Sequence, residues 1–152
     1  MTYIFDACAI FALFKCEEGI EKVKSLIEKA SAEQADIYMN IINLLEVHYS
    51  YYRDFGPDKA ANILERIYRM PIHFVDTIDA DIFSEASRLK AQYAIPLGDA
   101  IGLATAIKMK GTFVTADYSD FSEIEQAESI PFFWFRENFS CSFPYPHSPI
   151  LL

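Results

Sequence analysis

The stretch YIFDACAIFALFK, residues 3–15, decides how the rest of the chain is read. Residues 3–5 are apolar and predict a short buried strand, which ends at a single carboxylate, Asp6. From residue 7 to residue 15 the chain predicts a helix. A strand that passes into a helix through one polar residue is the opening half of a β–α unit, and such units build parallel sheets. The stretch is expected to be a strand entering a helix and not a signal peptide: it has no basic leader, and Asp6 and Lys15 bracket an apolar stretch of only eight residues.

The same alternation continues outward. Residues 19–30 predict a helix with Ile20, Val23, Leu26 and Ile27 at helical spacing, and residues 37–39 a short strand. A mostly apolar helix follows over 41–53, and Gly56-Pro57 breaks it. Residues 58–70 predict a further helix with Ile63, Ile67 and Met70 on one side; Pro71 sets off a strand over 72–75. Residues 79–93 predict an amphipathic helix. After Pro96-Leu97-Gly98, a helix over 99–109 carries Ala100, Gly102, Ala104 and Ala106, small residues that allow close packing on a sheet. A strand at 112–115, a helix near 119–127 and a strand at 132–134 complete the pattern. The expected fold class is α/β, a five-stranded parallel sheet flanked by helices.

Length and composition agree with one domain. A chain of 152 residues can bury a core unaided, and with just over half its residues apolar it is neither disordered nor fibrous. The domain is expected over residues 1–135. Residues 136–152 form a Pro/aromatic-rich C-terminal tail, with Phe139, Phe143, Pro144, Tyr145, Pro146 and Pro149. No run of 18 or more apolar residues occurs, so no membrane association is expected. Cys8, Cys16 and Cys141 are odd in number, and Cys8 and Cys16 on one helix would stand about 12 Å apart, so reduced thiols and a cytoplasmic location follow.

Four carboxylates carry the candidate chemistry. Asp6 follows the first strand directly, Asp117 follows the fourth by one residue, Asp99 opens the small-residue helix, and Glu46 sits inside the apolar helix. Each aspartate is also a natural helix cap. Against capping alone stands the rule that ligands gather beyond the carboxyl ends of parallel strands, where Asp6 and Asp117 fall. Glu46 is mid-helix, has no Lys or Arg one turn away at positions 42, 43, 49 or 50, and needs a metal or a distant Arg to compensate its burial. Converging carboxylates raise one another's pKa unless a cation sits between them, and oxygen-only ligands favour Mg²⁺ or Mn²⁺. Asn43, one turn before Glu46, is placed to orient it; Thr115 is either a donor to a ligand carboxylate or an ordinary strand residue; Asp120 is expected as a cap.

Other chemistry fits less well. Cys8 with His48 or His73 lacks an oxyanion-hole motif, and His48, His73 and His147 share no ligand spacing. Tyr49, Tyr51 and Tyr52 fit a core or dimer interface better than a surface for stacking bases. Arg53, Lys59, Arg66, Arg69 and Arg88 are expected mostly on solvated helix faces. The net charge of −9 argues against a generic nucleic-acid binder, though not against a nuclease whose phosphate contacts run through metal ions.

Four pieces, in order, resemble the PIN-domain ribonucleases of the VapC-like toxin group: Tyr3-Ile4-Phe5-Asp6-Ala7-Cys8-Ala9, Asn43-Leu44-Leu45-Glu46-Val47, Leu97-Gly98-Asp99-Ala100 and Phe113-Val114-Thr115-Ala116-Asp117. The resemblance spans residues 1 to about 135 and implies a PIN-like three-layer fold. It implies an endoribonuclease dependent on Mg²⁺ or Mn²⁺, the toxin of a toxin–antitoxin pair, acting on an RNA substrate, with a homodimer and a cognate antitoxin as partners. Carried over, Asp6, Asp99 and Asp117 are metal ligands, and Glu46 completes the catalytic quartet. The chain departs from the family at Cys8 and Asn40, where Ser or Thr is common, and in its acidic balance and tail. The alternative is a catalytically weak or inactive PIN-like binding or dimerisation module. A phosphatase built on Asp6 as nucleophile lacks the second acid two residues on, where Cys8 stands.

Overall fold

In the computed structural model, which describes residues 1–136, β1 (Thr2–Phe5) enters α1 (Ala7–Lys15) through Asp6 as the spacing predicts. The chain continues through α2 (Ile20–Ser31), β2 (Asp36–Asn40), α3 (Ile41–Phe55), α4 (Pro57–Tyr68), β3 (His73–Val75) and α5 (Ala80–Gln92). Then come α6 (Leu97–Met109), β4 (Thr112–Thr115), α7 (Tyr118–Ala127) and β5 (Phe132–Trp134). The strands form one sheet in the order β3-β2-β1-β4-β5, every neighbouring pair parallel. The tail expected over 136–152, with Cys141 and His147, lies outside the described residues apart from Arg136.

Strand alternation divides the core in two. Tyr3 and Phe5 of β1, Ile37 and Met39 of β2 and Val114 of β4 pack with α1, α2, α4 and the inner side of α3. Ile4 and Phe113 turn the other way, onto α5, α6 and α7. The result is three layers, helices on both faces of the sheet, as expected. Among the described residues, no helix is long and apolar enough to cross a membrane.

Two expectations are corrected. The small-residue helix begins at Leu97, with Pro96 in the extended conformation at its N-cap, so Asp99 lies inside the first turn rather than at its opening. Helix α3 is also less buried than its apolar content suggests. Asn43, Leu44, Val47, Ser50 and Tyr51 face inward, whereas Leu45, Tyr49 and Tyr52 are exposed. Its apolar residues run all the way round, so periodicity cannot select the inner face.

The last described residues return to the start of the domain. Gly19 has a φ of +84° and faces the carbonyl oxygen of Phe135, which a Cβ there would meet at 2.2 Å. The Arg136 guanidinium pairs with Glu17, and its Nε donates to the carbonyl of Glu18 at 2.8 Å.

Asn40 joins the two layers. Its Oδ1 accepts from the Ile42 amide at 2.9 Å, capping α3, and its Nδ2 donates to Thr105 Oγ1 in α6 at 3.1 Å. It is fully buried. Asn40→Ala removes the cap and leaves the Thr105 hydroxyl with one partner fewer, and should lower unfolding stability by about 1–3 kcal/mol in urea denaturation. Asn40→Ser, which restores a capping oxygen, should lose less.

Candidate functional site

Strand order reverses about β1: β2 and β3 lie on one side, β4 and β5 on the other. Ligand crevices of open parallel sheets form beyond the strand ends at such a reversal. Asp6 and Asp117 stand there, and the pairing Phe5↔Val114 brings Asp6 level with Thr115.

Asp6 is 5 % exposed and caps α1, its Oδ1 accepting from the Ala7 amide at 2.6 Å. Its Oδ2 accepts from Thr115 Oγ1 at 2.9 Å and from Cys8 Sγ at 3.0 Å. Burial pushes its carboxyl up; these three donors pull it back down, and the charge of Asp117 adds to the rise. Thr115 is therefore no ordinary strand residue. Its hydroxyl holds Asp6 and accepts from the Asp117 amide at 3.2 Å. The Cys8 thiol also receives the Ala116 amide at 3.3 Å, so it supplies the donor that Ser or Thr would supply. Burial, and then the Asp6 charge, hold this thiol well above its usual pKa, which removes it as a nucleophile at neutral pH.

Asp99 is 9 % exposed, and among the described residues its carboxylate accepts no hydrogen bond. Its pKa is raised well above the usual carboxylate range, by burial first and then by the charges of Asp6, Glu46, Asp120 and Asp117. Glu46 reaches the same place from α3: a Cβ on Gly98, the residue before Asp99, would come within 3.3 Å of Glu46 Oε2. Burial, followed by the charge of Asp6, pushes Glu46 from the ordinary 4.5 to about 7. Among the described residues, the leading charges acting on Asp6, Glu46 and Asp99 are all carboxylates.

Asp117 is half-buried and caps α7, its Oδ1 accepting from the Asp120 amide at 3.3 Å and from Ser119 Oγ at 2.7 Å. Asp117 is thus a cap, and its charge also adds to the field at Asp6 and Asp99. Asp120 does not cap; it lies in the first turn and adds to the field at Asp99. The spacing of Asp117 and Asp120, three apart at a helix start, points to Asp117 as the cap and Asp120 as a first-turn residue. Asn43 does not turn to Glu46. Its Nδ2 donates to the Gly98 carbonyl at 3.3 Å, joining α3 to the start of α6, and its buried Oδ1 has no partner among the described residues.

Among the described residues, no three His, Cys, Asp or Glu side chains already close to ligand distance about one point. The acids share a field without forming a finished cage. The donor set nonetheless fits a hard divalent cation: it is oxygen-rich, the thiol is held protonated, and the leading charges at Asp99 are negative.

A carboxylate with a raised folded pKa keeps its proton while the unfolded chain loses it, so its contribution is full at low pH and is lost as pH rises through the folded value. For Glu46 that window runs from 4.5 to about 7. Without divalent ions, the urea midpoint should fall as pH rises across it, and Glu46→Gln should flatten the fall.

The sequence matches the family model of the PIN domain over residues 3–126. No curated protein sequence matches the chain. Among solved structures, the fold is similar to that of VapBC2 from Rickettsia felis bound to a DNA fragment from its promoter, at 17 % identity and a TM-score of 0.70, covering 88 % of this chain and 98 % of that one. DNA-bound VapBC from Salmonella typhimurium gives 17 % and 0.67, covering 90 % and 99 %. VapC20 from Mycobacterium tuberculosis, a toxin that cleaves the sarcin–ricin loop, gives 14 % and 0.58, covering 77 % and 92 %. At these identities the likeness concerns the fold, and it agrees with the family match over most of the described domain. The chain belongs to the PIN domain family.

Proposed function

We propose that the protein is a divalent-metal-dependent endoribonuclease that hydrolyses RNA phosphodiester bonds, and the toxin of a toxin–antitoxin pair. One observation carries this reading: Asp6, Glu46 and Asp99, from three separate elements, share a buried field whose leading charges, among the described residues, are all negative. Folding against such repulsion is costly, and a bound cation relieves it. The structural likeness to VapBC assemblies, and to a toxin described as cleaving the sarcin–ricin loop, supports RNA as substrate and an antitoxin as partner.

In this reading Asp6, Asp99 and Asp117 hold the ion, and Glu46 completes the catalytic set. Mg²⁺ or Mn²⁺, when bound, supplies Lewis acidity that neutralises phosphodiester charge and makes water a stronger acid. Thr115 and Cys8 fix the Asp6 carboxylate in one orientation. Glu46, pushed to about 7, can take or give a proton near neutral pH, which suits it to position and deprotonate the attacking water. Asn43 contributes by tying α3 to Gly98, which keeps Glu46 beside Asp99.

As such a toxin the protein would act in the cytoplasm as a homodimer. The exposed Leu45, Tyr49 and Tyr52 on α3 supply apolar surface of the kind an interface needs, as does a groove of about 400 Å³ bordered by Ile78, Phe83 and Leu97. The second reading, a catalytically weak PIN-like binding module, draws on the net charge of −9 and on acids not yet at ligand distance.

Cleavage and melting separate the readings. Asp99→Asn should reduce Mn²⁺-dependent RNA cleavage at least about a hundredfold. Without metal, the same change should raise the thermal midpoint by roughly 2–4 °C, because it removes an unsatisfied buried charge. Added Mn²⁺ should stabilise the wild type and leave Asp6→Asn nearly unmoved in the same melting assay. Stabilisation that persists in Asp6→Asn would contradict the assignment of the ligands.

A further inference from the structure

An aromatic step lies beside the acids and takes no part in the proposed cleavage. Strand alternation and the pairing Thr115↔Trp134 put Trp134 next to Thr115, on the sheet face where Thr115 holds Asp6. Asp6 just past the end of β1, Thr115 at the end of β4 and Trp134 at the end of β5 thus form a row. Trp134 is fixed from two directions. Its ring stacks on Phe132 with centroids 5.1 Å apart and 7° between planes, and its Nε1 donates to Glu125 at 2.8 Å. Tyr118, the residue after Asp117, meets Trp134 edge-on at 5.1 Å and 61°. Although braced in this way, Tyr118 remains 39 % exposed.

A ring held by its neighbours loses little freedom when a ligand stacks on it. Charge gives the reason to look for such a ring here. Nucleic-acid affinity ordinarily comes from Lys and Arg on phosphates, yet this chain has a net charge of −9, and the leading charges acting on Asp99 are all carboxylates. Base–aromatic stacking needs no positive charge and takes any base with an exposed face.

We infer that Tyr118, braced on Trp134, is a stacking site for one unpaired nucleobase next to the bond to be cleaved. The inference rests on the ribonuclease reading and deepens it. It also makes Tyr118 a positioning residue: it holds the chain of the substrate while the acids act on the phosphate.

The test uses the full chain carrying Asp99→Asn, without divalent ions, with a short single-stranded oligoribonucleotide and its blunt duplex as probes. Affinity is read from probe anisotropy, and base contact from the fluorescence of Trp134, the one tryptophan. The single strand should bind tighter than the duplex, quench Trp134 and depend weakly on salt. Tyr118→Ala should weaken binding by on the order of tenfold, and Tyr118→Phe, which keeps the ring, should restore it. Equal affinity in Tyr118→Ala, or duplex binding as tight as single-strand binding, would overturn the inference.

Cleavage then separates this inference from the reading beneath it. In the otherwise wild-type chain with Mn²⁺, Tyr118→Ala should raise KM and leave kcat within roughly twofold. A wild type that cleaves, with KM unmoved by Tyr118→Ala, rejects the stacking site alone. A wild type that does not cleave, but whose Asp99→Asn form loses single-strand affinity through Tyr118→Ala, rejects the ribonuclease reading and keeps the site.

Discussion

The contact on which the acidic edge depends is the hydroxyl of Thr115 donating to Asp6 across two adjacent parallel strands. It exists only in one register. A slip of one residue between β1 and β4 would turn Thr115 to the opposite face and leave Asp6 buried with a donor fewer. The same hydroxyl accepts from the Asp117 amide, so one side chain sets the relation between two of the acids. Cys8 closes the arrangement from α1, donating to Asp6 and receiving Ala116. Sheet pairing and site geometry are therefore one constraint.

Packing has to oppose the mutual repulsion of the acids. Asp99 is carried on a helix lined with small residues, and Asn40 and Asn43 bind α3 to that helix at Thr105 and Gly98. These polar links through a largely apolar interior fix the distance between Glu46 and Asp99, which electrostatics alone would widen. The helix start adds something favourable, since a carboxylate in the first turn of α6 faces the positive end of the helix dipole. Asp117 gains similarly at α7.

Much of the fold was legible because the chain punctuates itself. Asp6 between strand and helix, Gly56-Pro57, Pro71 and Pro96 each mark a boundary that the structure places within a residue or two. The candidate acids were legible for a related reason: strand ends in a parallel sheet share one edge. What the sequence hid is directional. Nothing in the spacing of Asn43 and Glu46 says that the amide turns instead to a backbone carbonyl 55 residues away. The even spread of apolar residues round α3 conceals which side stays in water. A thiol at position 8 reads as a departure from Ser or Thr, yet its hydrogen bonds show a donor in the same service. Asp120 was read as a cap because its contribution to the field at Asp99 depends on how α7 meets α6, a tertiary fact.

Helix α6 has one more consequence. Eight consecutive positions, Asp99 to Ala106, are buried, so the helix has no outward side to absorb change. Each residue added or removed within it would turn everything beyond by about 100°. Such a shift would carry the aspartate out of phase with its neighbours while driving bulk against the sheet. Variation in chain length must therefore be confined to connections such as those after α2 and α4, where the outer surface can take up an extra residue without rotating anything that matters.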